Sequence, residues 1–159
     1  MDTSQIGLAG EFYVLAQLAH RGYVGTMTLG NAKRVDVVVF NERTGKYWRL
    51  EVKTTKESPK SEKIFGVEKF YIWQLSQKHE TVSESDLIYC FVALSTFDEL
   101  PRFFLVPSRT VAKYATWQHR TWLDAVHRRP VKDNTMRKFR VELSDPNKYQ
   151  ENWSILNGT

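Results

Sequence analysis

The 159 residues include a single cysteine, Cys90. One thiol cannot close a disulfide within the chain, and in the run Leu87-Ile88-Tyr89-Cys90-Phe91-Val92-Ala93-Leu94 it reads as a small buried hydrophobe. A disulfide scaffold is thereby excluded, and a reducing compartment fits. No apolar run approaches the roughly 20 residues of a membrane span, and none follows a basic start. Neither an anchor nor a signal peptide is expected, and a cytoplasmic location follows. The chain also lacks a glycine-rich phosphate loop and a Gly-x-Ser-x-Gly elbow. Its four histidines, His20, His79, His119 and His127, do not stand at metal-ligand spacing, which argues against zinc. Repeats, low-complexity tracts and linkers are missing too, so residues 1–159 read as one domain.

What is present is an ordinary globular composition, 42% hydrophobic and 26% charged, which excludes a disordered chain. Five Trp, seven Tyr and nine Phe supply rings for packing or base stacking. The net charge of +5 favours a polyanionic partner without naming one. Its distribution is uneven. Between Lys113 and Arg140 there are eight Lys or Arg against Asp124 and Asp133, a net of +6 that leaves the remainder close to balance. Such a segment reads as a nucleic-acid footprint or, equally, as a solvated basic surface.

The pattern predicts a helix over residues 4–21, capped by Ser4 and stopped by Gly22. A short strand over 23–28, a Gly30-Asn31 turn, a strand over 35–40, a turn over 41–46 and a strand over 47–55 follow. Residues 56–63 read as a polar loop, and 70–72 as a short strand before a short helix over 74–79. The continuous apolar run 87–95 predicts a strand buried on both faces, with another over 102–106. Ser108 then caps a long helix reaching about Arg128, Met136–Leu143 alternates like an edge strand, and Asp145-Pro146 starts a last helical turn toward Trp153. The sum is an α/β sandwich with a mixed central sheet of four to five strands flanked by helices.

Within that frame three acids and one amine are out of place. Asp36 sits inside the apolar run Val35-Asp36-Val37-Val38-Val39-Phe40, where a carboxylate is costly to desolvate unless something cationic meets it. In Arg49-Leu50-Glu51-Val52-Lys53-Thr54-Thr55 the side chains of Glu51 and Lys53 share one strand face, while Leu50, Val52 and Thr54 take the other. Glu11 interrupts an otherwise apolar helix, with Leu8 and Leu15 on its own face. A divalent cation explains both strand carboxylates and the adjacent lysine at once.

This order, Gly10-Glu11 on a helix, Val35-Asp36-Val37 on a strand and Glu51-Val52-Lys53 on the next, resembles the PD-(D/E)xK phosphodiesterase superfamily. It is most similar to the small branch that includes archaeal-type Holliday-junction resolvases. The resemblance spans roughly residues 5–95, and Val35 stands where the family name has proline. It implies a restriction-endonuclease-like fold and an endonuclease of repair, recombination or defence type. It further implies Mg2+ or Mn2+ held by Asp36, Glu51, the Val52 carbonyl and Glu11, with Lys53 orienting the attacking water. Resolvase action would require a symmetric homodimer, since two strands are cut in concert. The basic part, about 108–159, and two further cations supply candidate nucleic-acid contacts at Arg34, Lys56, Lys113, Arg120, Arg128, Arg129, Arg137 and Lys138. Thr55, Gln74, Gln77 and Lys78 are weaker candidates facing substrate.

Each element also has a plainer explanation. Glu-Val-Lys on a strand can be a surface ion pair worth ~0–1 kcal/mol, and Asp36 can be a strand-end acid bonded to backbone. Two other functions therefore stay open: a non-catalytic nucleic-acid-binding module on a nuclease-like fold, and a protein-interaction partner that meets an acidic surface.

Overall fold

Helix α1 covers Thr3–His20, and its first turn is closed by a reciprocal pair: the Asp2 carboxylate accepts from the Gln5 amide, and the Asp2 amide donates to the Gln5 side chain. Asp2 is thus the cap expected of Ser4. Beyond His20 the chain turns through Gly22, whose φ of +77° costs a residue without Cβ little. The computed structural model describes residues 2–28 and 35–158. Among them no helix is long and apolar enough to cross a membrane.

Strands β1 (Val24–Met27), β2 (Val37–Asn41) and β3 (Lys46–Thr55) form an antiparallel meander. A two-residue strand β4 (Lys60–Ser61) and then β5 (Lys69–Ser76) follow, leading into a 3-10 helix over Gln77–Thr81. Strand β6 (Leu87–Ala93) returns parallel to β3, with Glu51 opposite Tyr89, and β7 (Arg102–Pro107) pairs antiparallel to β6. The main sheet is therefore five-stranded and mixed, in the order β1-β2-β3-β6-β7. Helix α2 spans Ser108–Asp124, and β8 spans Met136–Glu142. A 3-10 turn over Trp153–Asn157 is the last element among the described residues.

A second sheet, β4-β5-β8, was not expected. The residues assigned to a helix over 74–79 instead extend β5 through Ser76, because β8 offers it a full antiparallel partner, with Leu75 opposite Arg137. Helix α2 stops at Asp124 rather than near Arg128. The imidazole of His127 lies 2.6 Å from the Trp122 carbonyl oxygen and satisfies a group that a further turn would have bonded. Ser108 is not its cap: the hydroxyl accepts from the Glu84 amide and donates to the Glu84 carbonyl, pinning the turn before β6. Asp145 does not start a helix either. It takes φ +43°, and its carboxylate accepts from the amides of Tyr149 and Gln150, so the last turn forms only after Asn152.

The main sheet carries a core on each face. Val14 and Leu18 of α1, with Trp153 and Leu156, cover Val37, Leu50, Val52, Cys90 and Leu105. On the other face the second sheet and α2 bury Tyr89, Phe91, Phe104 and Val106 against Trp73, Phe139, Val141 and Val111. The rings of Phe91 and Phe139 stack with centroids 4.4 Å apart, and the Trp73 indole donates to the Val92 carbonyl at 2.9 Å.

Candidate functional site

Strand β3 has ten residues, but β2 pairs with only its first five, from Lys46 to Leu50. Past Leu50 that edge of β3 would present an unpaired amide at Val52. Asp36, just before β2, meets the need: its amide donates to the Leu50 carbonyl at 2.9 Å, and its carboxylate accepts from the Val52 amide at 2.7 Å. A side chain thus continues the ladder where the main chain leaves it. The Val52 carbonyl leaves β3 on the same edge as its amide, because both groups of a strand residue point to one neighbour.

The period of two then separates the site from the core. Leu50 and Val52 are buried under α1, while Glu51 and Lys53 point to the face covered by the second sheet. The Lys53 ammonium lies 2.7 Å from Glu51 Oε1. His79, in the 3-10 helix after β5, brings its Nε2 to 3.2 Å from the same oxygen. His79 Nδ1 lies within 3.1 Å of the Ser76 amide, hydroxyl and carbonyl oxygen, which fixes the ring, and Nε2 bonds the Glu51 carboxylate when it carries a proton. The second carboxylate oxygen of Glu51, Oε2, is buried and has no hydrogen-bond partner among the described residues. An orphaned anionic oxygen in a 3%-exposed residue calls for a cation or a proton.

Glu11 lies near enough to feel the charges of Asp36 and Lys53, because α1 lies close on β3. A Cβ on Gly10 would stand 1.9 Å from the Thr54 hydroxyl oxygen, so only glycine permits the approach. Glu11 feels Asp36 and Lys53, and Asp36 feels Lys53 and Glu51. Burial raises the Asp36 pKa above the ordinary range and neighbouring Glu51 adds to it, against the Val52 hydrogen bond and the Lys53 charge. Burial and Asp36 likewise raise Glu11, with Lys53 opposing. Burial pushes Glu51 upward as well, but the His79 hydrogen bond and the Lys53 ammonium outweigh it and hold the group at about 2. Glu51 is therefore the fixed anion, and Asp36 and Glu11 are held in mutual repulsion.

Among the described residues no group of three or more His, Cys, Asp or Glu side chains is placed to enclose a metal ion. A closed zinc-type set is absent from that portion. Two carboxylates, one with a buried unpartnered oxygen, and an edge carbonyl are donors that suit a hard cation retaining several waters.

The expected nucleic-acid contacts are scattered. Lys113 and Arg120 lie exposed on α2, with Arg109, Thr116 and Trp117 along one groove-forming face. Lys56, Arg128 and Arg129 are exposed on loops. Lys138 is half-buried and 3.2 Å from Glu62. Arg137 is not on the surface: it is 3% exposed and ion-paired with Glu80 at 2.5 Å. Arg34 lies outside the described residues. Of the weaker candidates, Gln77 and Lys78 are exposed, and it is their neighbour His79 that reaches Glu51. Sequence reasoning passed over His79 because no second histidine stands near it. Its only local signal is the Ser76-x-x-His79 capping pattern.

No protein-family model matches the sequence, and no curated protein matches it. A solved structure, that of the bacterial homing endonuclease I-Ssp6803I, matches over 98% of this chain and 91% of that one. The TM-score is 0.59 at 14% identity. The likeness is one of fold, and the fold is nuclease-like.

Proposed function

We propose that the chain is a metal-dependent endonuclease that cleaves nucleic acid, DNA before RNA, with Asp36, Glu51, Lys53 and Glu11 as its site. The observation that carries this reading is the buried, unpartnered Oε2 of Glu51 beside an ammonium and a second carboxylate. Asp36, Glu51 and the Val52 carbonyl would hold Mg2+ or Mn2+, with Glu11 holding a second ion or its water. Such an ion supplies charge neutralisation at the scissile phosphate and a water acidic enough to attack near neutral pH. Glu51 keeps its charge because His79 and Lys53 hold it. Asp36 is anchored by the Val52 amide, so its position does not depend on the ion. Lys53 stands within reach of the same space and positions the attacking water or offsets phosphate charge.

The exposed cations on α2 and the loops give the polyanion a surface to follow. The chain's similarity in fold to a homing endonuclease supports the same class of reaction. A symmetric dimer would let two such sites cut opposite strands.

The test is cleavage of linear, branched and single-stranded DNA with Mg2+ or Mn2+ by the wild type and by Lys53→Ala and Asp36→Ala. Each variant is expected to lose about 100-fold or more. A wild type that cuts none of these, or variants that cut equally well, would overturn the reading. The competing function, a non-catalytic binding module, draws on the lack of a three-side-chain ligand group among the described residues. Titration calorimetry separates the two, because only the endonuclease requires a divalent ion at Asp36.

A further inference from the structure

Away from the acidic site, the C-terminal half of α2, strand β8 and residues 62–65 enclose a cavity of about 320 Å3 that none of Glu11, Asp36, Glu51 or Lys53 lines. Aromatic rings stand on two of its sides. Phe65 stands on one side with the Arg140 guanidinium 3.7 Å from its ring centroid, and Trp122 stands on another, stacked on His119. The floor is built from polar groups that are themselves satisfied. Arg140, 6% exposed, donates to the Gln118 side-chain Oε1 at 2.9 Å and pairs with Glu62. Gln118, 4% exposed, is bonded in turn to the Ala115 carbonyl. At the edge the exposed Asn134 accepts from the Met136 amide, and its side-chain N–H groups face solvent.

The rim is cationic. Lys63 is exposed, Lys138 bonds Glu62, and Arg137 lies beneath, paired with Glu80. Four cations, two of them the buried Arg137 and Arg140, therefore stand against three carboxylates: Glu62, Glu80 and Asp133, which lies 2.7 Å from His119. The Glu62 carboxyl is held below its ordinary range: burial opposes this, and Arg140 and Lys138 outweigh it. A cavity of this size with aromatic rings on two sides, the solvent-exposed Asn134 amide at one edge and a small surplus of positive charge around it suits a flat heterocycle carrying an anionic tail. The cavity is also linked to the acidic site: Glu80, which anchors Arg137, and His79, which holds Glu51, belong to the same 3-10 helix.

We propose that this cavity takes one unpaired base of the nucleic-acid substrate, stacked against Phe65 and Trp122, with the adjoining phosphates on Lys63 and Lys138. This rests on the endonuclease reading and narrows it. The favoured substrate would then be a strand with an unstacked nucleotide (a bulge, junction or single-stranded stretch) rather than a continuous duplex.

The test measures binding of the full-length chain, in EDTA to prevent cleavage, to a duplex bearing one bulged 2-aminopurine and to the same duplex fully paired. The bulged duplex is expected to bind about tenfold more tightly. The 2-aminopurine fluorescence should fall on binding as the base stacks. Trp122→Ala should abolish the preference. So should Met136→Trp, which fills the cavity from a position 57% exposed and so spares the fold. Paired-duplex affinity should stay unchanged in both. Equal affinity for the two duplexes, or a preference that survives both substitutions, would overturn the base-pocket assignment alone if the chain still cleaves DNA. A chain that binds neither duplex would also overturn the base-pocket assignment, whereas the endonuclease reading is decided separately by cleavage with Mg2+ or Mn2+.

Discussion

His79 Nε2 and Lys53 Nζ converge on one oxygen of Glu51, at 3.2 and 2.7 Å, and leave the other oxygen buried with no partner among the described residues. Of Glu11, Asp36, Glu51 and Lys53 the histidine bonds only Glu51, and it is itself fixed through Ser76 and set edge-on to the Tyr89 ring, so it acts as a positioning residue. Replacing His79 by Ala should lower kcat about 10- to 100-fold with little change in KM. His79→Gln, whose amide can donate from near the Nε2 position, should recover most of the loss. An alanine variant that cleaves as fast as the wild type would remove His79 from the site.

Gly10 makes a second relationship testable. With Thr54 Oγ1 only 1.9 Å from where a Cβ would stand, Gly10→Ala forces α1 away from β3 and carries Glu11 with it. Overpacking of this kind costs about 1–3 kcal/mol. The Thr54 hydroxyl is buried and unpartnered among the described residues, so Thr54→Ala alone should cost little. It should also relieve much of the Gly10→Ala loss in the double variant. Chemical denaturation of the four proteins gives the coupling, and strictly additive losses would contradict the contact.

How far this site could be read from the chain depends on sequence distance. The Glu51 and Lys53 pair was visible because strand periodicity places residues two apart on one face, and the buried positions of Leu50 and Val52 follow from the same rule. The main sheet was visible because β2 and β3 are joined by a short turn and β6 is continuously apolar. The second sheet was not, since β5 and β8 pair across α2 and neither strand pattern names its partner. The same gap hid His79, which meets Glu51 across 28 positions. It hid the burial of Arg137 and Arg140 as well, whose carboxylate partners Glu80 and Glu62 lie 57 and 78 residues away. A run of cations looks like a surface until those partners are placed.

Asp36 sets stability against function. Its folded pKa is raised, so its charge carries a penalty that is fully present above the folded pKa and disappears as pH falls below the unfolded value. Asp36→Asn keeps an oxygen for the Val52 amide and removes the charge. It should therefore abolish cleavage while raising Tm by about 1–3 °C at pH 7, a gain that closes below about pH 4. Glu51 behaves oppositely in both proteins. Its stabilising contribution is complete above its ordinary 4.5 and is lost as pH falls toward about 2. Millimolar Mg2+ should raise the Tm of the wild type and not that of Asp36→Asn. Thermal scans that place the variant below the wild type at pH 7 would show that the carboxylate is not penalised.

The basic segment divides into structural and surface cations, and substitution separates them. The Arg137 guanidinium is buried, paired with the partly exposed Glu80 and bonded to the carbonyls of Asn134 and Met136, so removing it leaves these acceptors unpaired. Arg137→Ala should destabilise the fold by about 1–3 kcal/mol, as loss of hydrogen bonds to a charged group does. Lys113→Ala and Arg120→Ala remove exposed charges from α2 and should leave stability within about 0.5 kcal/mol. Their effect belongs to binding: for every phosphate that is no longer neutralised, the slope of log affinity against log salt should fall by about 0.9 on duplex DNA. Salt titrations of DNA binding, set beside urea denaturation of the same proteins, check both halves. If Lys113→Ala and Arg120→Ala leave the salt slope unchanged, the polyanion does not run along α2.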